Sequence, residues 1–505
     1  MSSKVEECDE TLDIFLALIP IISIVLLLFV FHMSSPKAGV IAFFITIVTV
    51  YIYAPATKVS DIALASLHGM LISLVIIYVL FFGILLFHLL NEITFIEKIS
   101  DFVSNTTTNP TRQVIMLAIA FSPLIESVSG FGIGIIVIAP ILVALGFDRY
   151  KAALISLLSL SAVPWGALAT GTVIGSNVTN IPIQQIGVGS AYLSIPTFLF
   201  FAFIAIYVVS GKKGILESWL EILIVSLALA IGIIISNQWF SVELAGVIGA
   251  IVALVAEGIC IYFSQKEKSF VQMIKENLFI VKVLTPYLFL TVLLIVTRIP
   301  TLESALTSFG VIRWERYAFS LPVFYSPGFF LLLTSLFAFF IYKMDWPALK
   351  RALKTTTNQL IPVAVTTIAF IALAQIMAEV NLMQVLAEGI GTAVGPAFLW
   401  IAPIIGAFSG LITGSNAASN AMFIELQTMT ASKYNISTSL VASIQNTSAS
   451  HMTMASPSRV LLAATITGSK DKEKKLFKTT ALIVGIALVL MMLASFVFVH
   501  FTTLF

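Results

Sequence analysis

The sequence predicts an all-α polytopic membrane protein: about 12 transmembrane helices plus two re-entrant hairpins in an inverted repeat. Three observations carry this. Hydrophobic residues make up 59% of the 505-residue chain and charged residues only 10%, against the roughly 25% that covers a globular surface. Mean hydropathy is +1.05, and the apolar residues come in runs of about 18 to 24, the length that crosses a hydrocarbon core as helix. Two further apolar stretches are interrupted by Gly/Ser/Asn-rich segments and do not read as ordinary spans. The lipid bilayer is therefore the principal partner. A formal net charge of +2 with no basic block argues against nucleic acid. Cys8 and Cys260 provide neither a disulfide framework nor a metal set, and no cofactor motif is present.

Met1–Thr11 is acidic and lacks the basic leader and small-residue cleavage site of a signal peptide, so the first apolar run reads as a retained span. Full spans are expected near 12–31, 38–53, 70–90, 151–173, 193–209, 215–236, 241–264, 279–297, 326–342, 359–378, 437–457 and 478–501. A single membrane domain, 1–505, is the result. Basic segments at Lys212–Lys213, Lys266–Lys275, Lys343–Lys354 and Lys470–Lys478 alternate with segments 174–192, 237–242 and 379–393, which contain no Lys or Arg. Positive residues stay on the cytoplasmic side. The pattern closes for a cell-membrane protein with both termini outside, provided 113–147 and 394–428 each leave and return on one side.

In the first of these stretches, Gln113–Ile125 and Ile135–Phe147 flank Glu126-Ser127-Val128-Ser129-Gly130-Phe131-Gly132-Ile133-Gly134. Arms of about 13 residues reach ~20 Å, short of a ~30 Å core. In the second, Val394–Ile412 leads into Thr413-Gly414-Ser415-Asn416-Ala417-Ala418-Ser419-Asn420 and a short arm ending near Met429. Both read as hairpins, although charge parity alone equally allows tilted crossings.

An amphipathic segment precedes each hairpin, starting at Ile93 and Val380, 287 residues apart. The tip glycines Gly130 and Gly414 lie 284 apart, and Leu154 and Leu440, which open the following helices, 286 apart. Seven spans separate the hairpins, an odd number, so the second unit is inverted. Unit 1 runs from about 70 to 209 and unit 2 from about 359 to 501, with connecting spans over 210–358. Chance spacing in a uniformly apolar chain is the duller explanation. Inverted repeats place substrate sites of secondary transporters near the midplane.

Unpaired backbone survives in lipid only beside protein or a watery cavity, so a hairpin tip marks a cavity. The free N–H groups that open its second arm attract a carboxylate. The candidate substrate-binding residues are therefore Ser129, Gly130, Phe131 and Gly132 at one tip and Gly414, Ser415, Asn416, Ser419 and Asn420 at the other. Asn446 and Thr447 join them from the polar run Gln445–Thr453 in the next helix. Serine and threonine in spans also serve packing, and singly that is their usual role. Ionisable residues at lipid depth are functional candidates: Glu126 and His451 are assigned to proton coupling. The competing reading makes Glu126 an acceptor that orders the tip and His451 a neutral packing residue. Glu257 reads as scaffold packing or an interfacial group, and Arg459 as a side chain snorkelling to the cytoplasmic face.

Leu124–Gly132, reading LIESVSGFG, resembles the LEGAAGFG signature of the L-lactate permease family. Phe408–Phe423, with LITGSNAASNA, resembles that family's F-L-T-G-S-D-x-S-S-N-A-L-F, and Asn446-Thr447 followed by Ser456-Pro457 is similar to its third polar stretch. The resemblance implies import of L-lactate, and often glycolate, with a proton, by a fold grouped with hairpin-containing inverted-repeat transporters. Two departures stand out. Asn416 occupies the family's Asp position, and Met452–Pro457 lacks the Lys of G-K-M-x-S-P. One negative and one positive group are missing together, which bears on substrate identity and on coupling.

The resulting expectation is a carrier for a small 2-hydroxy monocarboxylate with a proton, or Na⁺, as coupling ion, and not an enzyme. A cation-coupled carrier of another small organic anion is the alternative. A membrane-embedded enzyme using His451 finds no GxSxG, HExxH or paired-carboxylate motif. A passive channel fits poorly with two tips closing on each other. Elevator or rocking motion, the direction of flux and a homo-oligomeric state stay open at this stage.

Overall fold

The computed structural model describes residues 2–264, 278–315 and 319–501. The expected basic segment 266–275 and Arg316 lie outside them. Nearly all of the described chain is helical, with one two-stranded ribbon among the described residues, β1 (Val311–Trp314) against β2 (Phe319–Pro322). Nine of the described helices are long and apolar enough to cross a membrane, or up to eleven if each of two bent pairs is one span. Two of the nine, Pro110–Ser129 and Leu382–Thr413, fall on or run into the stretches expected as hairpins, and the spans expected near 151–173 and 279–297 appear as the two bent pairs. Three further departures from the expected spans are local. Ile183–Trp239 (α10) is a single 57-residue helix interrupted at Gly211, and it holds the two spans expected at 193–209 and 215–236. The helix at 327–341 has only 15 residues. The segment 437–457 forms a polar helix that breaks near its end.

In chain order, α1 (Ser2–Val25) and α2 (Ser35–Tyr53) lead to α3 (Val59–Glu92), followed by the short amphipathic α4 (Phe95–Thr106). A first hairpin climbs through α5 (Pro110–Val114), a π-helical stretch and α6 (Ser122–Ser129), and returns as α7 (Ile133–Ala144). Next come α8 (Arg149–Leu158) and α9 (Gly166–Thr179), which meet at a 62° bend. After α10, α11 (Ala245–Ser264), α12 (Leu278–Val296), α13 (Pro300–Ser308) and α14 (Pro327–Ile341) intervene. The order then recurs: long α15 (Trp346–Glu379), amphipathic α16 (Leu382–Val394), and a second hairpin of α17 (Phe398–Thr413) and α18 (Asn416–Lys433). A broken helix of α19 (Thr438–Met452) and α20 (Pro457–Thr467) follows, and α21 (Glu473–Phe501) closes the chain.

The two successions agree in detail. Helices α3 and α15 each have 34 residues and pack on each other. Their contact is close because Gly69 faces Ala372, where a Cβ would come within 2.7 Å of the Ala372 nitrogen; small residues let spanning helices approach. Thr94 (φ +57°) and Asn381 (φ +60°), 287 residues apart, turn the chain through a left-handed residue into α4 and α16. Helix α2 packs on α15 and α14 on α3. The hairpin arms are longer than the sequence suggests, because Pro110 opens the first 20-residue arm and α18 has 18 residues. Arm length alone therefore does not make these hairpins. Their tips are buried: Ser129, Gly130, Ser415 and Asn416 are all enclosed by protein.

Outside the bundle, Arg298 pairs with Glu243 at 3.1 Å and bonds to Tyr325, tying the ribbon loop to the turn between α10 and α11. Burial pushes the Tyr325 hydroxyl up to about 12.

Candidate functional site

The first tip is built by backbone that only glycine adopts freely. Gly130 (φ +68°) and Gly132 (φ +80°) flank Phe131, itself held at φ +54°. A Cβ on Gly130 would stand 2.6 Å from Cβ of Ala167, so the tip rests directly on α9. At that contact Ala167, Leu168 and Ala169 are all left-handed, a conformation costing roughly 1–2 kcal/mol per residue. Strain of this kind persists where surrounding structure over-determines it, often at functional sites.

Glu126 folds back under the tip. Its Oε1 accepts from the Gly132 N–H at 3.0 Å and its Oε2 from the Gly134 N–H at 3.1 Å. The carboxylate thus sits at the N-terminus of α7, where free donors and the helix dipole favour negative charge. It is 1% exposed. This is the tip-ordering geometry, and it also leaves the acid at the wall of a cavity.

The second tip turns at Gly414 (φ +63°), and Ser415 caps α18 by accepting from the Ala418 N–H at 3.3 Å. Thr413 Oγ1 donates to the Ser415 carbonyl at 2.9 Å and lies 2.7 Å from Ser419 Oγ, which makes the turn rigid. Helix α9 presses against α18: a Cβ on Gly171 would lie 2.8 Å from Asn416 Cγ.

Asn446 is the hub. Its Oδ1 accepts from Asn416 Nδ2 and from Asn420 Nδ2, each at 2.8 Å. Its Nδ2 donates to Ser190 Oγ at 2.9 Å and to Thr172 Oγ1 at 3.1 Å. Asn420 Nδ2 also donates to the Gly171 carbonyl at 2.9 Å. One side chain of α19 therefore joins α18, α9 and α10. Gln445 extends the network, donating to Ser409 Oγ at 3.1 Å and accepting from Gln427. Thr447 Oγ1, Ser129 Oγ and the Oδ1 atoms of Asn416 and Asn420 are buried with no hydrogen-bond partner.

The tips meet around a small cavity of about 20 Å³, lined by Glu126, Gly130, Phe131, Ser415, Asn416 and Arg459 among others. Beside it opens a larger cavity of about 600 Å³, whose wall includes Phe131, Gly414, Ser415, Ser458, Arg459 and His32. The structure thus brings together Glu126, Gly130, Phe131, Gly414, Ser415, Asn416 and, through Asn416, Asn420 and Asn446. Ser129 packs against Gly83 of α3.

His451 is not among the residues around either cavity. Its Nε2 lies 3.2 Å from the Ser161 carbonyl oxygen and 3.4 Å from Thr197 Oγ1, with the Phe201 ring against it. Glu257 is buried within α11, near Glu221 and Arg112 and away from both tips.

Arg459 corrects the sequence reading. It does not snorkel to an aqueous face; it is 6% exposed, and its Nη1 has no hydrogen-bond partner. It is the third residue of α20, after Ser456 and Pro457 start the helix inside the bundle. The Ser-Pro-x-Arg order carried that signal: a Pro-started helix places the cation within its first turn. Thr172, Thr413 and Ser190 were also missed, since isolated hydroxyls in apolar helices look like packing residues until their partners are seen.

Two hairpins, a pair of mid-helix breaks and a buried amide network between them mark a polytopic membrane protein of the permease type. The chain belongs to the L-lactate permease family, whose model matches residues 13–504. It is 26% identical over 437 residues to the L-lactate permease of Streptococcus iniae, covering 83% of this chain and 91% of that protein. To the L-lactate permease of Bacillus subtilis it is 24% identical over 526 residues, covering 92% of each. To the glycolate permease GlcA of Escherichia coli it is 22% identical over 522 residues, covering 93% and 92%.

Proposed function

We propose that this chain is a secondary active carrier of L-lactate or a related small 2-hydroxy monocarboxylate such as glycolate, moved together with a proton. The observation that carries the reading is the meeting of both hairpin tips around one small cavity with a larger one beside it. The names of the relatives, lactate and glycolate permeases, point to the same substrate class. Segments 70–209 and 359–501 act as inverted repeat units, linked by 210–358. The hairpins and broken helices move as a transport unit against a scaffold that includes α3 and α15.

Glu126 is the proton carrier in this reading. It is the acid at the cavity wall, and a substrate anion arriving beside it brings a second negative charge into a poorly solvated space. In this reading a proton carried with the substrate offsets the charge that the anion brings, so anion binding and proton uptake favour each other. His451, hydrogen-bonded away from the cavity, serves packing. Sodium is the competing coupling ion, and both chain termini face outwards.

The test is uptake of labelled lactate, glycolate and a dicarboxylate into proteoliposomes, with and without an imposed pH or sodium gradient. The expected result is uphill accumulation of both monocarboxylates driven by an inward proton gradient. Glu126→Gln abolishes that accumulation, while His451→Ala retains it. Uptake that ignores the pH gradient and every monocarboxylate tried overturns the proposal.

A further inference from the structure

The buried guanidinium of Arg459 has an opposite charge nearby in Glu126, but its Nη1 has no hydrogen-bond partner. Among the described residues no ion pair joins it to a carboxylate. Its neighbour Glu126 shares the cavity wall but spends both oxygens on backbone N–H groups. Nor does Arg459 serve its own helix, because a cation in the first turn opposes the helix dipole. A charge left unpaired inside protein is costly, and a ligand carboxylate in a two-pronged contact is the partner a guanidinium fits best.

Asn416 lines the same cavity and carries a second unpaired polar atom. Asn416 is held by its Nδ2, which donates to Asn446 at 2.8 Å, and this fixes the amide plane. Its Oδ1 stays buried without a partner. A carbonyl oxygen accepts a hydrogen bond and offers none, so it suits a hydroxyl on the ligand and not a second carboxylate oxygen.

We propose that Arg459 and Asn416 together read a 2-hydroxy carboxylate: the guanidinium takes the carboxylate, and the Asn416 amide oxygen accepts from the adjacent hydroxyl. This rests on the carrier reading above and assigns its specificity to two residues. Arg459, Phe131 and Ser415 line both the larger and the smaller cavity, so an anion entering through the larger one meets the guanidinium before it reaches Asn416. An acid without the hydroxyl leaves Oδ1 unpaired, and sites built to bond a hydroxyl discriminate strongly against analogues lacking it.

The experiment measures initial rates of labelled L-lactate uptake by the full chain in proteoliposomes, with propionate and lactamide as competitors. Wild type is expected to be inhibited weakly by propionate and not by lactamide. Arg459→Lys keeps the charge but loses the fork. It is expected to raise the KM for lactate about tenfold or more with a much smaller change in maximal rate. Asn416→Ala is expected to bring propionate to near parity with lactate. Purified Arg459→Lys is also expected to lose the lactate-induced rise in melting temperature shown by wild type, a readout independent of transport. A wild-type KM in Arg459→Lys, or an unchanged preference for lactate over propionate in Asn416→Ala, overturns the proposal while leaving the carrier reading intact. A wild-type chain that carries no monocarboxylate overturns both.

Discussion

Asn446 shows how much one amide decides. It accepts two hydrogen bonds and donates two, connecting three other helices at the tips. Asn446→Ala leaves Asn416 Nδ2 and Ser190 Oγ without their partner, while Asn420 and Thr172 keep their bonds to the Gly171 and Pro164 carbonyls. Each buried polar group left unsatisfied costs about 1–3 kcal/mol. We expect the variant to melt several degrees lower in detergent and to lose most lactate uptake; wild-type melting and uptake would show the hub to be dispensable. Individual side chains were only partly legible in the sequence. Asn416, Asn420 and Asn446 stood out because amides are rare in such an apolar chain. Arg459 did not, because a cation near a predicted span end reads as interfacial until the helix break at 453–456 places it inside. His451 stood out for the same reason as Glu126, yet it bonds to a backbone carbonyl in a different part of the bundle. Titratable character in a sequence does not say which way a side chain points.

At the elements, the Gly/Ser/Asn interruptions marked where the chain turns and the polar runs marked the broken helices, but the hairpin reading rested on arm length. Arm lengths were not legible. A proline start lengthened the first arm, and a π-helical stretch, Ile115–Phe121, lies within it. The left-handed turn at Ala167–Ala169 was equally invisible, because alanine and leucine are strong helix formers and only tertiary contact overrides that preference. The Gly130 contact with this turn gives a sharp expectation. Gly130→Ala adds a methyl 2.6 Å from Ala167 Cβ at a positive φ. It should lower the yield of folded protein and abolish uptake, whereas Gly146→Ala, with positive φ but open space around it, should cost only the backbone strain, about 1 kcal/mol. Fluorescence-detected size-exclusion chromatography of both variants checks this; equal behaviour would mean that the tip is not seated on α9.

For the whole molecule, composition and hydropathy made the all-α membrane class plain, and spacing alone gave the recurring order of elements. The same order appears in matched details such as the two 34-residue helices and the left-handed entries to α4 and α16. The proposed orientation rests on the distribution of Lys and Arg. Single cysteines placed at Lys213 and Lys354 in a chain with Cys8 and Cys260 replaced by serine should react with impermeant reagents only from the cytoplasmic side. Cysteines placed at Asn180 and Gln238 should react only from outside; the reverse pattern would invert the proposed topology.

The convergence of both tips on a substrate anion has a direct test. Ser458 is exposed on the wall of the larger cavity, next to Arg459. In the cysteine-replaced background, alkylation of Ser458→Cys should slow severalfold in L-lactate and stay unchanged in lactamide. An identical rate with and without L-lactate, in protein that still transports it, would contradict the account.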